Sequence, residues 1–551
     1  MSRDREYQQW DAVVIGSGIG GLVCAAYLAV TGSRVLVAEQ GGVAGGNSHV
    51  FRRRRAYEFD VGVHYLGDCG PGGLLPAITG GLGLHGRVEY REMDRDGFDR
   101  VVIPGAVLDM PADWTAYRER LRALCPRDAA GIDAFLDVVA GLGRERRDAI
   151  VAAEEVPVAE LPQHAPQSVA WGRRMLAELF DHCGLSPRAR TLLAAQSPNY
   201  GMAPDEASVA LHATVTDHYV RGAYYPAGGG QMLAAGLLEV IRAHGGELRT
   251  RSLVTRIALD GHRARGVVFA DGSRADAPVV VSNADYRRTM LELVGAGQLP
   301  RRLAAKTREA RMALPWATVY VALDRDLGRH ANLWWYRGDD IERFYRDLRA
   351  GAAPAGGDFL FASFASGKDP HAPRTCPPGH SNFQLMTLCP PGFGSWGADC
   401  DDGGDYRGTP GYRREKARLT QAVLDTAEEL LGPLRGHLVH VETATPLTHR
   451  RYTLSSGGTP FGMAHWGTPG NRPDNSTFVE GLFVAGADTR HGNGITGAAV
   501  SGISCAGRIT GRRLMHEVHA GAVLGDPALL PPRPAAWDPL AVSRGHSRAA
   551  A

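Results

Sequence analysis

The sequence predicts an α/β protein of two domains, in which a Rossmann-type nucleotide-binding domain is interleaved with a mixed α+β domain. Near the N-terminus, a GxGxxG motif lies between an apolar strand and a helix. A second strand then ends in an acid, at the spacing of a dinucleotide-binding unit. A helical region from about residue 111 to 219 separates this unit from another set of strands at 245–285. This order implies that one domain interrupts the other.

The glycine-rich motif follows the apolar, β-branched run 12–15, which predicts a buried parallel strand. Residues 22–30 predict the helix that comes next. In such a motif the first glycine permits a tight turn, the second lets a pyrophosphate approach the backbone, and the third lets helix and strand pack closely. The helix N-terminus also offers free N–H groups to the phosphates. We therefore expect cofactor contacts at the glycines of this segment: Gly16, Gly18, Gly20 and Gly21.

Glu39 ends a second predicted strand, at 35–38. Its carboxylate can accept hydrogen bonds from ribose hydroxyls and would repel a 2′-phosphate, so we expect FAD or NAD and not NADP. The nearly apolar run 13–30 could also be interpreted as a transmembrane span. The glycines near its start and its strand-like beginning argue against that interpretation.

Composition excludes several classes of function. The chain has 551 residues and a net charge of +2, which provides no electrostatic basis for nucleic acid binding. Its 8 cysteines are scattered and form no zinc pattern, so we expect no metal and a reducing, cytoplasmic compartment. The first ten residues lack the apolar core of a signal peptide. We therefore expect any membrane contact to be peripheral.

Further segments resemble one enzyme family, in order along nearly the whole chain. They include a second glycine-rich loop at 40–48 and the segments YEFDVGVHYLG (57–67), YYPAGGGQM (224–232), VVVSNAD (279–285), SGKDP (366–370) and EGLFVAGAD (480–488). These resemble the retinol saturases and their relatives, the carotenoid isomerases and bacterial phytoene desaturases. The resemblance implies the two-domain flavoprotein fold of amine oxidases and a non-covalent FAD.

The same resemblance implies the other cofactor contacts. The backbone of Val254 would meet the adenine, and Asp488 would bond the ribityl or pyrophosphate region. The helix start from Ile495 would face the flavin pyrimidine, where its dipole stabilises negative charge on the reduced flavin. The full set of contacts added in this way is Gln40, Gly45, Gly46, Asn47, His64, Val254, Gly486, Asp488, Ile495, Thr496 and Ala498.

Domain bounds follow from where the resemblance enters and leaves the nucleotide-binding part. We assign residues 1–75, 222–290 and 440–520 to the FAD-binding domain and residues 76–221 and 291–439 to the substrate-binding domain. The Pro- and Ala-rich tail, 521–551, is expected to be disordered. A second GxGxxG at 81–86 follows a helical pattern and is interpreted as a plain loop. NAD(P)H or another electron donor would therefore lack a dinucleotide domain of its own.

The resemblance implies hydride transfer between flavin N5 and a carbon of a lipophilic polyene or isoprenoid. The segments at 58–67 and 366–370 favour the retinol-saturase branch, and hence reduction of a conjugated C=C. The glycine-rich loop at 492–497 is nearer to the isomerases and desaturases. Desaturation, isomerisation and ketolase-type oxygenation therefore stay open. A non-enzymatic lipid carrier on the same fold is a further alternative, which Glu39 and the complete glycine motif argue against.

Three other features have two interpretations each. His64 and Tyr65 are the candidate proton donors because they lie in the loop expected to pass the flavin, or they only shape that loop. The aromatic runs at 332–336 and 393–396 line a substrate tunnel or belong to the core. The run Arg52–Arg55 is a solvated hairpin tip or contacts anionic lipid head groups.

Overall fold

The computed structural model describes residues 9–152, 159–351, 356–397, 405–464 and 472–545. Its strands, in chain order, are β1 (Ala12–Ile15), β2 (Val35–Ala38), β3 (Val50–Arg53), β4 (Tyr57–Asp60), β5 (Tyr90–Glu92), β6 (Asp99–Ile103), β7 (Ala106–Met110), β8 (Tyr224–Pro226), β9 (Glu247–Arg249), β10 (Val254–Asp260), β11 (Arg263–Phe269), β12 (Arg274–Asp276), β13 (Val279–Ser282), β14 (Trp316–Leu323), β15 (Asn332–Tyr336), β16 (Phe359–Ser363), β17 (Ser381–Leu388), β18 (Leu438–Ala444) and β19 (Leu482–Val484).

Its α-helices are α1 (Ile19–Val30), α2 (Leu74–Gly81), α3 (Trp114–Leu124), α4 (Ala129–Ala152), α5 (Leu161–His164), α6 (Pro166–Trp171), α7 (Leu176–His182), α8 (Pro187–Leu193), α9 (Val209–Val220), α10 (Gln231–Ala243), α11 (Tyr286–Arg288), α12 (Arg301–Glu309), α13 (Ile341–Arg349), α14 (Ala365–Lys368), α15 (Pro410–Leu431), α16 (Pro446–Thr453), α17 (Gly494–Thr510), α18 (Leu514–His519) and α19 (Pro539–Val542). Among these residues, no helix combines the length and apolar character needed to cross a membrane.

A parallel sheet of five strands carries the predicted nucleotide-binding unit. Its order is β19-β13-β1-β2-β9, and every pairing in it is parallel. All residues of β1 and β2 are buried, as expected for central parallel strands covered on both faces. The predicted bounds of both strands are confirmed. Helix α1 begins at Ile19, three residues before the predicted start, because the last two glycines of the motif form its first turn.

A second sheet of seven strands, in the order β18-β14-β17-β16-β15-β6-β7, forms the centre of the other domain. Its pairings are antiparallel except for β6 with β15. The helices predicted between residues 111 and 219 are present and pack their apolar residues against one side of this sheet. Helix α4 buries apolar residues along its first half, whereas its second half is largely polar.

The strands come from the chain in alternating blocks. The parallel sheet takes strands from 12–38, 247–282 and 482–484, and the second sheet takes them from 99–110 and 316–444. We keep the domain bounds above as a proposal, with one difference. Strand β18 belongs to the second sheet, although residues from 440 onward were assigned to the first domain. The second GxGxxG follows α2 directly and has no strand before it, as its interpretation as a loop required.

Only part of the run Arg52–Arg55 forms a solvent-exposed hairpin tip. Arg52 bonds Glu58 at 2.6 Å and both carboxylate oxygens of Asp538, at 2.7 and 2.8 Å. Arg53 bonds Glu442 at 2.5 and 2.8 Å. The exposed residues are Arg54 and Arg55, which form the turn between β3 and β4 with positive φ. A continuous patch of four free arginines for lipid head groups is therefore absent.

The predicted disorder of the tail is wrong for residues 521–545. Asp538 pairs with Arg52, as described above, and the buried Ser543 receives a hydrogen bond from Gln231 Nε2 at 2.7 Å. The backbone O of Ser543 also accepts from Ala44 N at 2.9 Å. The Pro- and Ala-rich composition of the tail predicted that it could not bury enough apolar surface to be ordered. These hydrogen bonds and the buried side chain of Leu540 nevertheless hold it against the nucleotide-binding domain. The last six residues lie outside the described part.

Candidate functional site

A cavity of about 1460 Å³ lies at the carboxyl ends of β1 and β2 and reaches across to the second sheet. Ile15 and Ala38, the last residues of these strands, line one side, and Trp316 and Phe361 of the second sheet line another. Ligands of open α/β sheets bind outside the carboxyl ends of the strands. The cavity therefore lies where a dinucleotide and a substrate can both be accommodated.

The glycines of the two glycine-rich loops form a narrow floor to this cavity. Gly16 has a φ of +87°, which a residue with a side chain rarely adopts. A Cβ on Gly20 would lie 2.6 Å from the Cα of Gly486, and a Cβ on Gly46 would lie 3.0 Å from the Cα of Gly18. Side chains at these positions would fill the space that a pyrophosphate needs.

Gly21 does not line the cavity. A Cβ at this position would lie 2.5 Å from the carbonyl O of Gly16, so Gly21 allows α1 to pack against the turn after β1. Its predicted role in packing fits this position. The other predicted cofactor residues all line the one cavity: Gly16, Gly18, Gly20, Glu39, Gln40, Gly45, Gly46, Asn47, His64, Val254, Gly486, Asp488, Ile495, Thr496 and Ala498.

Glu39 connects both glycine-rich loops at the end of β2. Its carboxylate accepts hydrogen bonds from Ser17 N at 3.0 Å, Ser17 Oγ at 2.5 Å and Gly41 N at 2.6 Å. Three donors fix the orientation of the carboxylate on the cavity wall. This is the position that the ribose-binding acid of such a unit requires.

Asp488 is held differently from what its predicted role suggests. Its two carboxylate oxygens accept from Met463 N at 2.6 Å and from Tyr286 N at 2.8 Å. Burial, with a contribution from the nearby Asp285, raises the pKa of Asp488 to about 6. Asp488 lines the cavity and also joins three segments of the chain through these bonds.

Six buried polar atoms on the cavity wall have no hydrogen-bond partner among the described residues. They are Asn47 Oδ1, His64 Nδ1, Trp316 Nε1, His449 Nε2, His491 Nε2 and Thr496 Oγ1. Buried polar atoms are normally paired, so this concentration indicates a ligand rich in hydrogen-bonding groups. A ribose, a pyrophosphate and a flavin ring supply such groups along one elongated molecule, and the residues present fit FAD.

Burial lowers the pKa of three histidines on the cavity wall and keeps them neutral. It lowers the pKa of His64 to about 3, helped by the charge of Lys368. It lowers the pKa values of His449 and His491 to about 4 each. Neutral imidazoles can donate or accept single hydrogen bonds but do not act as cationic acids near pH 7. His449 and His491 were not predicted, because no motif marks a lone histidine as part of a site.

The backbone of His64 is fixed by a buried lysine. Lys368 Nζ donates to the carbonyl O of His64 at 2.6 Å and to Ser363 Oγ at 2.7 Å. Burial lowers the pKa of Lys368 to about 7. Lys368 lies in the segment SGKDP, which the sequence comparison singled out without giving the lysine a role.

Tyr65, the other candidate proton donor, is bonded to a carboxylate that sequence reasoning missed. Its hydroxyl donates to Asp99 Oδ2 at 3.0 Å and accepts from Asn199 Nδ2 at 3.1 Å. Its ring stacks on Tyr219 with centroids 4.1 Å apart. Both rings line the cavity, whereas Asp99 lies behind them.

Asp99 is buried and surrounded by neutral donors. It also accepts from Gln196 Nε2 at 2.6 Å, Asn332 Nδ2 at 2.8 Å and Trp334 Nε1 at 2.8 Å. Burial raises its pKa, and these hydrogen bonds oppose the rise. No single stretch of sequence indicates this group, because its partners come from three distant segments.

The apolar wall of the cavity is built from residues other than the predicted aromatic runs. It includes Tyr219, Trp316, Phe361, Met386 and Phe461. The run 332–336 forms β15 in the middle of a sheet, and its aromatic side chains belong to the hydrophobic core. Trp396 of the second run is core as well. The core interpretation of these runs is therefore confirmed, and the tunnel interpretation is wrong for them.

Comparison with known proteins agrees with this architecture. The profile of the family described as flavin containing amine oxidoreductase matches residues 19–510. The chain is 28% identical to all-trans-retinol 13,14-reductase of Rattus norvegicus, over 94% of this chain and 89% of that protein. It is 26% identical to chloroplastic prolycopene isomerase of Arabidopsis thaliana, over 92% and 84% of the two chains. The structure of cyclohexylamine oxidase from Brevibacterium oxydans superimposes with a TM-score of 0.57 at 17% identity, covering 92% of this chain and 99% of that one.

Proposed function

The chain belongs to the family of flavin-containing amine oxidoreductases, and from that membership we propose that it is an FAD-dependent enzyme that reduces a conjugated C=C of a lipophilic polyene or isoprenoid. The observation that carries the proposal is one continuous cavity that joins the dinucleotide end to an aromatic wall. The similarity to all-trans-retinol 13,14-reductases over nearly the full length supports the choice of substrate class and of reduction.

The residues that would hold FAD all line the cavity. We assign the ribose to Glu39, the pyrophosphate to the glycine floor and the N-terminus of α1, and the flavin ring to the start of α17. Thr496 Oγ1 and His64 Nδ1 are unpartnered among the described residues and would bond the ring system. When bound in its reduced form, the flavin supplies the hydride for one carbon of the double bond.

The aromatic wall would orient the polyene and exclude water. Trp316, Phe361 and Tyr219 present ring faces and edges to the cavity, and Met386 can adapt to an irregular apolar surface. Their burial favours an extended apolar ligand over a polar one. The protein thereby supplies positioning, and a proton must still reach the second carbon.

We assign that proton to Tyr65 Oη, with Asp99 as the group that positions it. Tyr65 lies in the cavity wall, and its hydroxyl donates to Asp99, which also accepts from three neutral side chains. After Tyr65 gives up its proton, the tyrosinate regains one from water when the product leaves. His64 is the weaker candidate because burial keeps its imidazole neutral, and we assign it to positioning the flavin.

Isomerisation is the second candidate function. The similarity to prolycopene isomerase covers nearly the whole chain and specifically favours it. Both reactions would use the same cavity and the same reduced cofactor, but isomerisation leaves the hydrogen count of the polyene unchanged. Desaturation would remove two hydrogens.

The electron donor and the cellular setting complete the proposal. We propose that NAD(P)H or another reductant reduces the flavin without a dinucleotide domain of its own on this chain. The described cysteines are all free thiols, which supports a reducing, cytoplasmic compartment. A lipophilic substrate would be drawn from a membrane surface by peripheral contact.

The test is a single turnover under anaerobic conditions. Chemically reduced, FAD-loaded enzyme is mixed with all-trans-retinol, and the product is analysed by mass spectrometry. Reduction predicts a product with two added hydrogens and one fewer conjugated C=C. A product of unchanged mass but altered geometry would replace reduction by isomerisation.

A further inference from the structure

Arg146 is a cation on the cavity wall without an acid to neutralise it. It lies in the polar second half of α4 and is half-buried. Its Nε donates to Thr214 Oγ1 at 2.8 Å, and no carboxylate forms an ion pair with it in the part of the chain that the structure describes. Burial lowers the pKa of its guanidinium below the ordinary value.

Two other arginines of this region, Arg147 and Arg221, do have an acidic partner. Arg147 pairs with Asp217 at 2.7 Å, and Arg221 bonds the same carboxylate at 2.9 Å. Asp474, an acid that also lines the cavity, bonds Arg508 at 3.0 Å and pairs with Arg490 at 3.6 Å. These acids are thus already paired with other arginines.

His491 faces the same space. It precedes the glycine-rich loop at the start of α17, and its Nε2 has no partner among the described residues. Arg146 is close enough to contribute to the lowered pKa of His491. A guanidinium with N–H groups that have no partner among the described residues and a neutral imidazole that can donate one hydrogen bond thus line the same cavity, within electrostatic range of each other.

We infer that Arg146 and His491 form a subsite for the terminal carboxylate of the substrate, so that the preferred polyene is a polyenoic acid. A guanidinium offers two parallel N–H groups that match the two oxygens of a carboxylate, and a neutral imidazole N–H can reach one of them. Thr214 keeps the guanidinium in place through its Nε. This inference rests on the proposed function, because it assigns the end group of the same polyene.

The position of the subsite gives it a role in orientation. His491 lies three residues before Gly494, where the helix assigned to the flavin ring begins. An acid bound there would have one end fixed beside the ring, and its chain would extend along the aromatic wall. The subsite would therefore decide which double bond is reduced.

The experiment compares three probes that share one polyene: all-trans-retinoic acid, its methyl ester and all-trans-retinol. Binding to the FAD-loaded oxidised enzyme is measured by quenching of tryptophan fluorescence, and turnover is measured separately by mass spectrometry. We expect wild type to bind the acid at least tenfold more tightly than the ester and the alcohol. We expect Arg146→Gln to lose about 10- to 100-fold in affinity for the acid alone, as for a lost charged hydrogen bond.

Two controls make the result specific. Arg144→Gln changes an exposed arginine on the same helix and should leave all three affinities unchanged. Arg146→Lys keeps the positive charge but not the two parallel N–H groups, so it should recover only part of the lost affinity for the acid. Equal loss for all three probes, or no preference of wild type for the acid, would overturn the inference. Loss of FAD or a shifted flavin reduction potential in Arg146→Gln would assign Arg146 to the cofactor and overturn it as well.

The binding readout also separates the two proposals. If wild type binds the acid selectively through Arg146 but reduces none of the probes, the carboxylate subsite stands and C=C reduction is contradicted. If wild type reduces retinol and binds it as tightly as the acid, reduction stands and the subsite is contradicted.

Discussion

The hydroxyl of Tyr65 donates to Asp99 Oδ2 at 3.0 Å, and the two residues lie on opposite faces of the cavity wall. Tyr65 lines the cavity, whereas Asp99 is fully buried behind it. This pair connects the substrate space to a carboxyl group shielded from water. Asp99 fixes the position of the Tyr65 hydroxyl, from which Tyr65 can give up its proton to the substrate.

Replacement of Tyr65 by Phe should retain the flavin and reduce turnover by about 100- to 10,000-fold, the usual contribution of a general acid. The ring and its stacking on Tyr219 are kept, so polyene affinity should change little. Turnover is measured by anaerobic reoxidation of the reduced flavin. Tyr345→Phe is the control, since it removes a buried hydroxyl bonded to Ser197 away from the cavity. Wild-type turnover in Tyr65→Phe would contradict the assignment of the proton donor.

Replacement of Asp99 by Asn should destabilise the fold by about 1–3 kcal/mol as well as slow turnover. In wild type, four donors point at the carboxylate of Asp99. In the variant, the amide NH₂ would face some of these donors, so at least one donor would lose its acceptor. Urea unfolding measures the change. Asp109→Asn, in an exposed pair with Arg100, should cost less than about 1 kcal/mol. A fully stable variant would show that Asp99 does not organise this wall.

The pair also shows how far sequence reasoning could go. The glycine motif, the first two strands and Glu39 were predictable because they lie within about 30 consecutive residues whose local geometry determines the site. Asp99 gains its role only from Gln196, Asn332 and Trp334, which the fold brings together from separate segments. Arg146 lies in the polar second half of α4, whose composition is that of an ordinary exposed helix. No neighbouring residue in the sequence therefore marked Arg146 as part of a site. The contacts that order residues 521–545 are likewise long-range.

Removal of the Glu39 carboxylate should weaken FAD binding. Glu39→Ala should raise the dissociation constant of FAD by about 10- to 100-fold, the effect of losing a charged hydrogen-bond acceptor. The quantity is obtained by titrating the apoprotein with FAD and following flavin fluorescence. Glu89→Ala, at an exposed position outside the cavity, is the matched control. Unchanged FAD affinity in Glu39→Ala would contradict its assignment to the ribose.

A methyl group on the glycine floor should also exclude the cofactor. Gly20→Ala would place a Cβ 2.6 Å from the Cα of Gly486. Because both atoms belong to the backbone or are attached directly to it, no side-chain rotation can relieve this clash. We expect a purified protein with little or no bound flavin and a lowered thermal midpoint. Gly297→Ala, at an open position, should behave as wild type. Full flavin content in Gly20→Ala would show that the floor is looser than described.

Lys368 should give stability a specific pH dependence. Its folded-state pKa is lowered to about 7 from the ordinary value of 10.5, so between these values the unfolded chain binds the extra proton. Stability linked to this group therefore rises as the pH increases from 7 towards 10 and is lowest below 7. Relative to Lys368→Met, wild type should gain about 2 kcal/mol between pH 7 and 9, measured by urea unfolding. A pH-independent difference would contradict a deprotonating Lys368.

The flavin content of a His64 variant distinguishes the role of His64 from that of Tyr65. We expect His64→Ala to lose part of its flavin, because the orphaned Nδ1 is assigned to the ring system, and to retain the stacked Tyr65. Absorbance of the purified protein gives the flavin-to-protein ratio, and turnover is expressed per bound flavin. Full flavin content together with lost turnover would instead make His64 the proton donor.

The central claim is the direction of hydride transfer, and the visible spectrum of the flavin under anaerobic conditions tests it most directly. The enzyme is prepared both oxidised and chemically reduced, and each form is mixed with all-trans-retinoic acid, all-trans-retinol and a carotenoid. We predict that a polyene restores the oxidised spectrum of the reduced enzyme and leaves the oxidised enzyme unchanged. Bleaching of the oxidised enzyme by a substrate would show desaturation and would contradict the proposed reduction.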